Sequence, residues 1–141
     1  MLKTTAIIVC GLSMAITGCA STPVSNQEAK SVPEQRVLDH SLSKKAGDES
    51  GEVIIKRDSG FGGSACLTQI FMDGKILAEM DTAEKFIFYP PTGEHVFSAW
   101  PKGICGGGMV EIPGVVKKDG VLIYRVGYGS NGDFGIYRTA F

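Results

Sequence analysis

The chain has 141 residues, 43% hydrophobic and 21% charged, which suffices for one modest domain and is too short for a multidomain enzyme. Lys and Arg number 14 against 15 Asp and Glu, a net charge of −1 without a basic cluster, and this argues against a nucleic-acid partner because phosphate neutralisation needs grouped cations. The 19 glycines are well above the usual ~7% and point to a turn-rich β domain.

Met1 to Ala20 carries one early positive charge, Lys3, then an apolar stretch from Ala6 to Ile16 interrupted by Gly11 and Ser13. This is the pattern of a secretory signal peptide, shorter than the ~20 apolar residues of a spanning helix. It closes on Ile16-Thr17-Gly18-Cys19, which resembles the bacterial lipobox, where an aliphatic and two small residues precede a cysteine. The resemblance implies diacylglyceryl transfer to the Cys19 sulfur, cleavage that removes residues 1–18 together with Cys10, and acylation of the new N-terminus. More than one acyl chain, at roughly 0.8 kcal/mol per buried CH₂, makes such an attachment stable. The membrane, reached through that lipid, is therefore an expected partner. Ala20 stands where Asp would mark inner-membrane retention, so the same resemblance implies the outer membrane, on its periplasmic side or at the cell surface.

Ser21 to Ser50 is nearly free of aromatic residues, and its apolar positions are too sparse for a core of their own. Residues 19–50 read as a lipidated cysteine and a flexible linker that holds the domain clear of the lipid. Val37, Leu38 and Leu42 fall near helical spacing, which would suit a short helix from Glu34 to Leu42; His40 reads as a solvated linker residue.

The domain proper is expected from Gly51 to Phe141. Val53-Ile54-Ile55 opens a first strand that ends at Lys56-Arg57. Cys66 to Met72 and Lys75 to Met80 flank Asp73-Gly74, a type I′ hairpin signal. Phe86 to Tyr89 is a β-rich run stopped by Pro90-Pro91. Glu94 to Trp100 follows, with Val96, Ser98 and Trp100 on one face and His95, Phe97 and Ala99 on the other. Met109 to Val116 and Val121 to Tyr128 flank Lys117-Lys118-Asp119-Gly120, read as a second hairpin, and Asn131-Gly132 turns the chain into Phe134 to Thr139. Leu122, Tyr124, Val126 and Tyr128 alternate with Ile123, Arg125 and Gly127, as in a half-buried strand. Seven or eight short strands without a helical run predict an all-β fold, a small antiparallel β-sandwich or partly open barrel.

The order of a strand, an Asp-Gly hairpin, an aromatic strand and then Pro90-Pro91-Thr92-Gly93-Glu94-His95-Val96 resembles PEGA-type and related bacterial lipoprotein domains, marked by a Pro-Pro-Gly-x-His/Tyr turn. Thr92 before Gly93 departs from the tightest form of that turn. The resemblance covers most of Val53 to Tyr128; it implies a β-sandwich in the cell envelope and no catalytic residue.

Cys66 and Cys105 are the cysteines left in the domain. In an oxidising envelope such a pair is expected to form a disulfide, closing a loop of about 40 residues. Two Cys and His95 lack paired ligand spacing, so no metal and no cofactor is expected. Gly103-Ile104-Cys105-Gly106-Gly107 looks superficially like a nucleophile loop with His95 as its base, but a working thiol would require Cys66 to stay unpaired. Gly60-Phe61-Gly62-Gly63-Ser64 and Gly106-Gly107-Gly108 lack the Lys-Ser/Thr ending of phosphate loops. The disulfide should bring these two stretches together, and Phe61, Trp100, Pro101 and Ile104 form the candidate interaction surface, with Trp100 open to a core or a surface reading. The expected function is a non-enzymatic binding or accessory module with a protein partner in the envelope. The alternative is an inhibitor or immunity-type lipoprotein, similar in size and topology to the periplasmic lysozyme inhibitors.

Overall fold

The computed structural model describes residues 21–141. The expected signal peptide, residues 1–18, with Cys10, and the expected lipidation site Cys19 lie outside the described residues. Among the described residues, nine strands form two sheets packed face to face. They are β1 (Lys30–Ser31), β2 (Glu52–Arg57), β3 (Thr68–Met72), β4 (Lys75–Met80), β5 (Glu84–Phe88), β6 (Gly93–Pro101), β7 (Val110–Val116), β8 (Val121–Tyr128) and β9 (Phe134–Arg138). Sheet I has the order β1-β5-β2-β8-β9 and sheet II the order β4-β3-β6-β7. The fold is an all-β sandwich that does not close into a barrel, and eight of the strands fall within Gly51 to Phe141, as expected.

Two of the turns are as the sequence suggests. Asp73 (φ 50°) and Gly74 (φ 79°) both occupy the left-handed region that a type I′ turn requires, and they join β3 to β4. Asn131-Gly132 joins β8 to β9. The expected hairpin at Lys117–Gly120 is instead a passage between layers, because β7 belongs to sheet II and β8 to sheet I. Sheet I is also mixed rather than purely antiparallel: β8 lies parallel to β2, with Val53 opposite Leu122 and Ile55 opposite Tyr124. The cause is burial. Val53-Ile54-Ile55 is apolar on both faces, so β2 needs a central place, and the apolar residues of β8 fill the position beside it.

Inward-facing residues of the two sheets form one core, in which Phe88, Phe97 and Tyr124 pack ring against ring at centroid distances of 6.1 and 5.2 Å. The side of the sandwich between β5 and β4 is closed by a segment that was expected to be free. Residues 21–50 do not form a flexible linker; they are a strap laid on the sandwich. Residue Thr22 bridges Ser59, β1 pairs in parallel with β5, and Val37 bridges Ala78 on β4. Val24 and Ala29 are buried, and Val32, Val37 and Leu42 pack against the core. The expected helix over Glu34 to Leu42 is reduced to one 3₁₀ turn, Glu34–Arg36. Its Arg36 forms an ion pair with Glu84, and Asp39 pairs with Lys75 at 2.6 Å. The strap needs no core of its own, because Val24, Ala29, Val32, Val37 and Leu42 are wholly or partly buried on the sandwich while Leu38 stays exposed, and its backbone covers edges that would otherwise stay unpaired.

This arrangement sets an expected outcome for limited proteolysis. Trypsin should cut first at Lys44 or Lys45, which are exposed in a stretch held by few backbone hydrogen bonds, and spare Lys30 and Arg36. The N-terminal fragment, which carries the strap, should remain bound to the sandwich after the cut. Its release on gel filtration would show that the strap is not an integral layer.

Candidate functional site

The end of the sandwich where β2, β6 and β8 terminate and β3 and β7 begin gathers most of the residues singled out in the sequence. Cys66 and Cys105 are joined there, with a Cα–Cα distance of 6.0 Å. Cys105 is thereby removed as a nucleophile. His95, the base once offered to it, lies at the opposite end of β6, where its Nδ1 is 2.7 Å from Asp73 Oδ2 and its Nε2 is 2.9 Å from the Pro91 carbonyl.

The disulfide ties together two glycine-bearing loops, residues 58–67 and 102–109. Gly63 is required by geometry: its φ is +73°, and a Cβ there would come within 2.2 Å of the Tyr128 ring. That ring covers the junction, with the Tyr128 hydroxyl donating to the Cys105 carbonyl at 3.4 Å and Cys105 Sγ in contact with the Gly63 oxygen at 3.7 Å. The first loop is held from below by Arg57. This side chain points into the end of the sandwich and donates to the carbonyls of Cys66 (2.6 Å), Met80 (2.7 Å) and Gly63 (2.7 Å). Burial lowers the pKa of its guanidinium, partly offset by Asp81, and it remains a cation.

On the outer face of sheet I a second polar knot fixes the beginning of the strap. Asp58 is 2% exposed; it accepts from Arg125 at 2.6 Å and from the Ser21 hydroxyl at 3.0 Å. Burial pushes its carboxyl up, while Arg125 and Ser21 pull the other way. The Ser21 amide donates to the Tyr128 carbonyl at 2.9 Å, and the Tyr128 amide donates to Ser21 Oγ at 2.8 Å. Gly127 leaves the room for this contact, since a Cβ there would stand 2.3 Å from Asp58 Oδ2 and 2.4 Å from Ser21 Oγ.

The four residues of the expected interaction surface divide. Phe61 and Ile104 stand out from the two loops at 92% and 94% exposure. Trp100, at 45%, lies on the outer face of sheet II, since Phe97 and Ala99 take the inward positions of β6. Pro101 is buried at the end of that strand, opposite Thr68 of β3, and so belongs to no exposed surface. Farther along the outer face of sheet II lie two more exposed apolar residues. Val96 faces outward on the same strand, and Val115 lies opposite Glu94 on β7, both exposed. Beside the indole runs a polar ladder in which Gln69 and Lys102 both donate to Glu79 Oε1, at 3.0 and 2.9 Å. Alternation along β6 already sets Val96 on the face of Trp100; Val115 joins that face only through the β6–β7 register.

At the far end, two adjoining open clefts of about 440 and 330 Å³ share Val121 and Arg138. Lys117 lines the second. Among the described residues no cluster of His, Cys, Asp and Glu has the arrangement to hold a metal ion. No protein-family model matches the chain, and no curated protein matches it.

Proposed function

We propose that the chain is a lipid-anchored protein of the outer membrane, attached through Cys19, that acts as a non-enzymatic binding or accessory module for another envelope protein. The lipobox-like Ile16-Thr17-Gly18-Cys19 and the turn at Pro90–His95, which resembles that of PEGA-type domains, support the location. The observation that carries the binding role is Trp100, half-exposed on the outer face of sheet II. On the outer face of sheet I the strap ties on at Asp58 and at Lys85, whose Nζ donates to the Asn26 carbonyl, and Lys56 is covered by the Phe141 ring, while Val121 and Tyr137 stay exposed beyond them. On sheet II the Trp100 indole stands open beside a ladder of polar side chains, with Val96 and Val115 exposed farther along the same face. An exposed tryptophan rimmed by satisfied polar groups on a rigid strand is the arrangement that dominates the energy of protein interfaces.

A pull-down from envelope extract that compares the wild-type mature protein with Trp100→Ala tests this. A partner retained by the wild type should be lost about tenfold or more from the variant, the effect of removing a central anchor. If the retained protein is a secreted muramidase whose activity the chain blocks, the module is an inhibitor. Retention unaffected by Trp100→Ala would overturn the assignment of this face.

A further inference from the structure

We propose that the loop end of the sandwich sits directly on the bilayer, with Phe61 and Ile104 inserted into its interface. This deepens the lipoprotein reading above and rests on it. The starting observation is where the strap begins. Ser21 is fixed to the body by its amide, by its hydroxyl and by the Thr22–Ser59 bridge, whose two backbone hydrogen bonds are 2.7 and 2.8 Å. A single residue, Ala20, separates Ser21 from Cys19. Two residue steps reach no more than about 7 Å. An acyl group on Cys19 therefore has no tether; the surface around Ser21 lies against whatever lipid the chain is attached to.

That surface carries the two most exposed large apolar side chains among the described residues, Phe61 at 92% and Ile104 at 94%. Connectivity places them there: Phe61 is two residues beyond Ser59, the bridge partner of Thr22, and Ile104 precedes Cys105, whose carbonyl accepts from the same Tyr128 that binds Ser21. From Ser59 to Ala65 the loop contains no charged residue, and from Gly103 to Met109 the other contains none either, so neither has a charge to strip of water on entering the headgroup region. The disulfide and Arg57 hold both loops in place. Little conformational freedom is left to lose when the side chains insert. Val121, at the beginning of β8, is seven residues from Tyr128 and thus about 23 Å from this end, well outside an interface in which apolar groups reach ~5–10 Å deep.

The test uses the full mature chain, isolated with its lipid and reconstituted in phosphatidylethanolamine–phosphatidylglycerol vesicles. With Trp100→Phe as background, Phe61→Trp, Ile104→Trp and Val121→Trp each provide one fluorescent reporter at an exposed position, so the fold is not disturbed. Lipids brominated near the headgroup end of the chain should quench the Phe61→Trp and Ile104→Trp reporters about twofold or more and leave Val121→Trp unchanged. Mass spectrometry of the N-terminal peptide and fractionation of Cys19→Ser report separately on the anchor. An acylated, membrane-bound protein whose loop reporters escape quenching overturns the docking alone. A protein without acyl groups, or a Cys19→Ser variant that remains in the membrane with normal processing, overturns the lipoprotein reading and the docking with it.

Discussion

Reduction of the Cys66–Cys105 disulfide is expected to lower the midpoint of thermal unfolding by roughly 15 °C. The bond closes a segment with a sequence separation of 39, and the chain-entropy relation assigns about 4 kcal/mol to a loop of that size. For a folded body of this length, each kcal/mol corresponds to roughly 4 °C. The loss should be unevenly distributed. The 58–67 loop keeps its Arg57 hydrogen bonds without the disulfide, whereas the 102–109 loop is otherwise fastened by the Lys102 amide donating to the Leu67 carbonyl and by Tyr128. Hydrogen exchange in the reduced protein should accordingly rise more in the second loop than in the first. Thermal unfolding of the oxidised and reduced protein, followed by circular dichroism, gives the magnitude. A drop of less than about 5 °C would mean that the native contacts alone hold the loop and that the entropic account fails here.

What could be read from the sequence was local. Asp73-Gly74 and Asn131-Gly132 encode turns by their own backbone chemistry, and the alternation from Leu122 to Tyr128 fixes a strand with two faces. Pairing between distant strands is not encoded in such signals. Nothing in Lys117–Gly120 distinguishes a hairpin from a passage between sheets; that choice is made by the need of β2 for a neighbour on each side. The strap was illegible for a related reason. Composition measures whether a segment can build a core, and Val24, Ala29, Val37 and Leu42 build none; they are wholly or partly buried on a surface supplied by residues far along the chain.

The site was legible in part for the same physical reasons. The pairing of Cys66 with Cys105 could be expected from the count of cysteines in the domain, without knowing where the fold places them, and Phe61 and Ile104 are exposed because glycine-rich loops offer them nothing to pack on. Trp100 was undecided because alternation along β6 separates two faces without saying which is inward; Phe97 packing on Phe88 and Tyr124 decides it. Pro101 was misplaced because a residue at a strand end takes its burial from the neighbouring strand, here β3.

Arg57→Met is expected to cost about 3–5 kcal/mol, a large part of the ~5–15 kcal/mol that stabilises a domain. In the sequence, Lys56-Arg57 looks like the polar end of a strand. In the structure Arg57 is 3% exposed, and its guanidinium is the donor for three carbonyls, those of Cys66, Met80 and Gly63. Met fills much of the same volume, so the variant leaves little cavity; what it removes is the donors. The Cys66 and Met80 carbonyls are then buried without a partner, each at a cost of roughly 1–3 kcal/mol. The Gly63 carbonyl, nearer the surface, can turn to water, and the loop bearing Phe61 loosens as it does. Arg57→Lys should fall between the wild type and Met, because a single ammonium cannot span three acceptors that a planar fork reaches together. Denaturant unfolding of the three proteins measures the series, and the deficit should be constant between about pH 5 and 9, since a guanidinium does not titrate there. A loss below about 1 kcal/mol for Arg57→Met would show that water replaces the guanidinium at all three carbonyls, and that the end of the sandwich is not held from within.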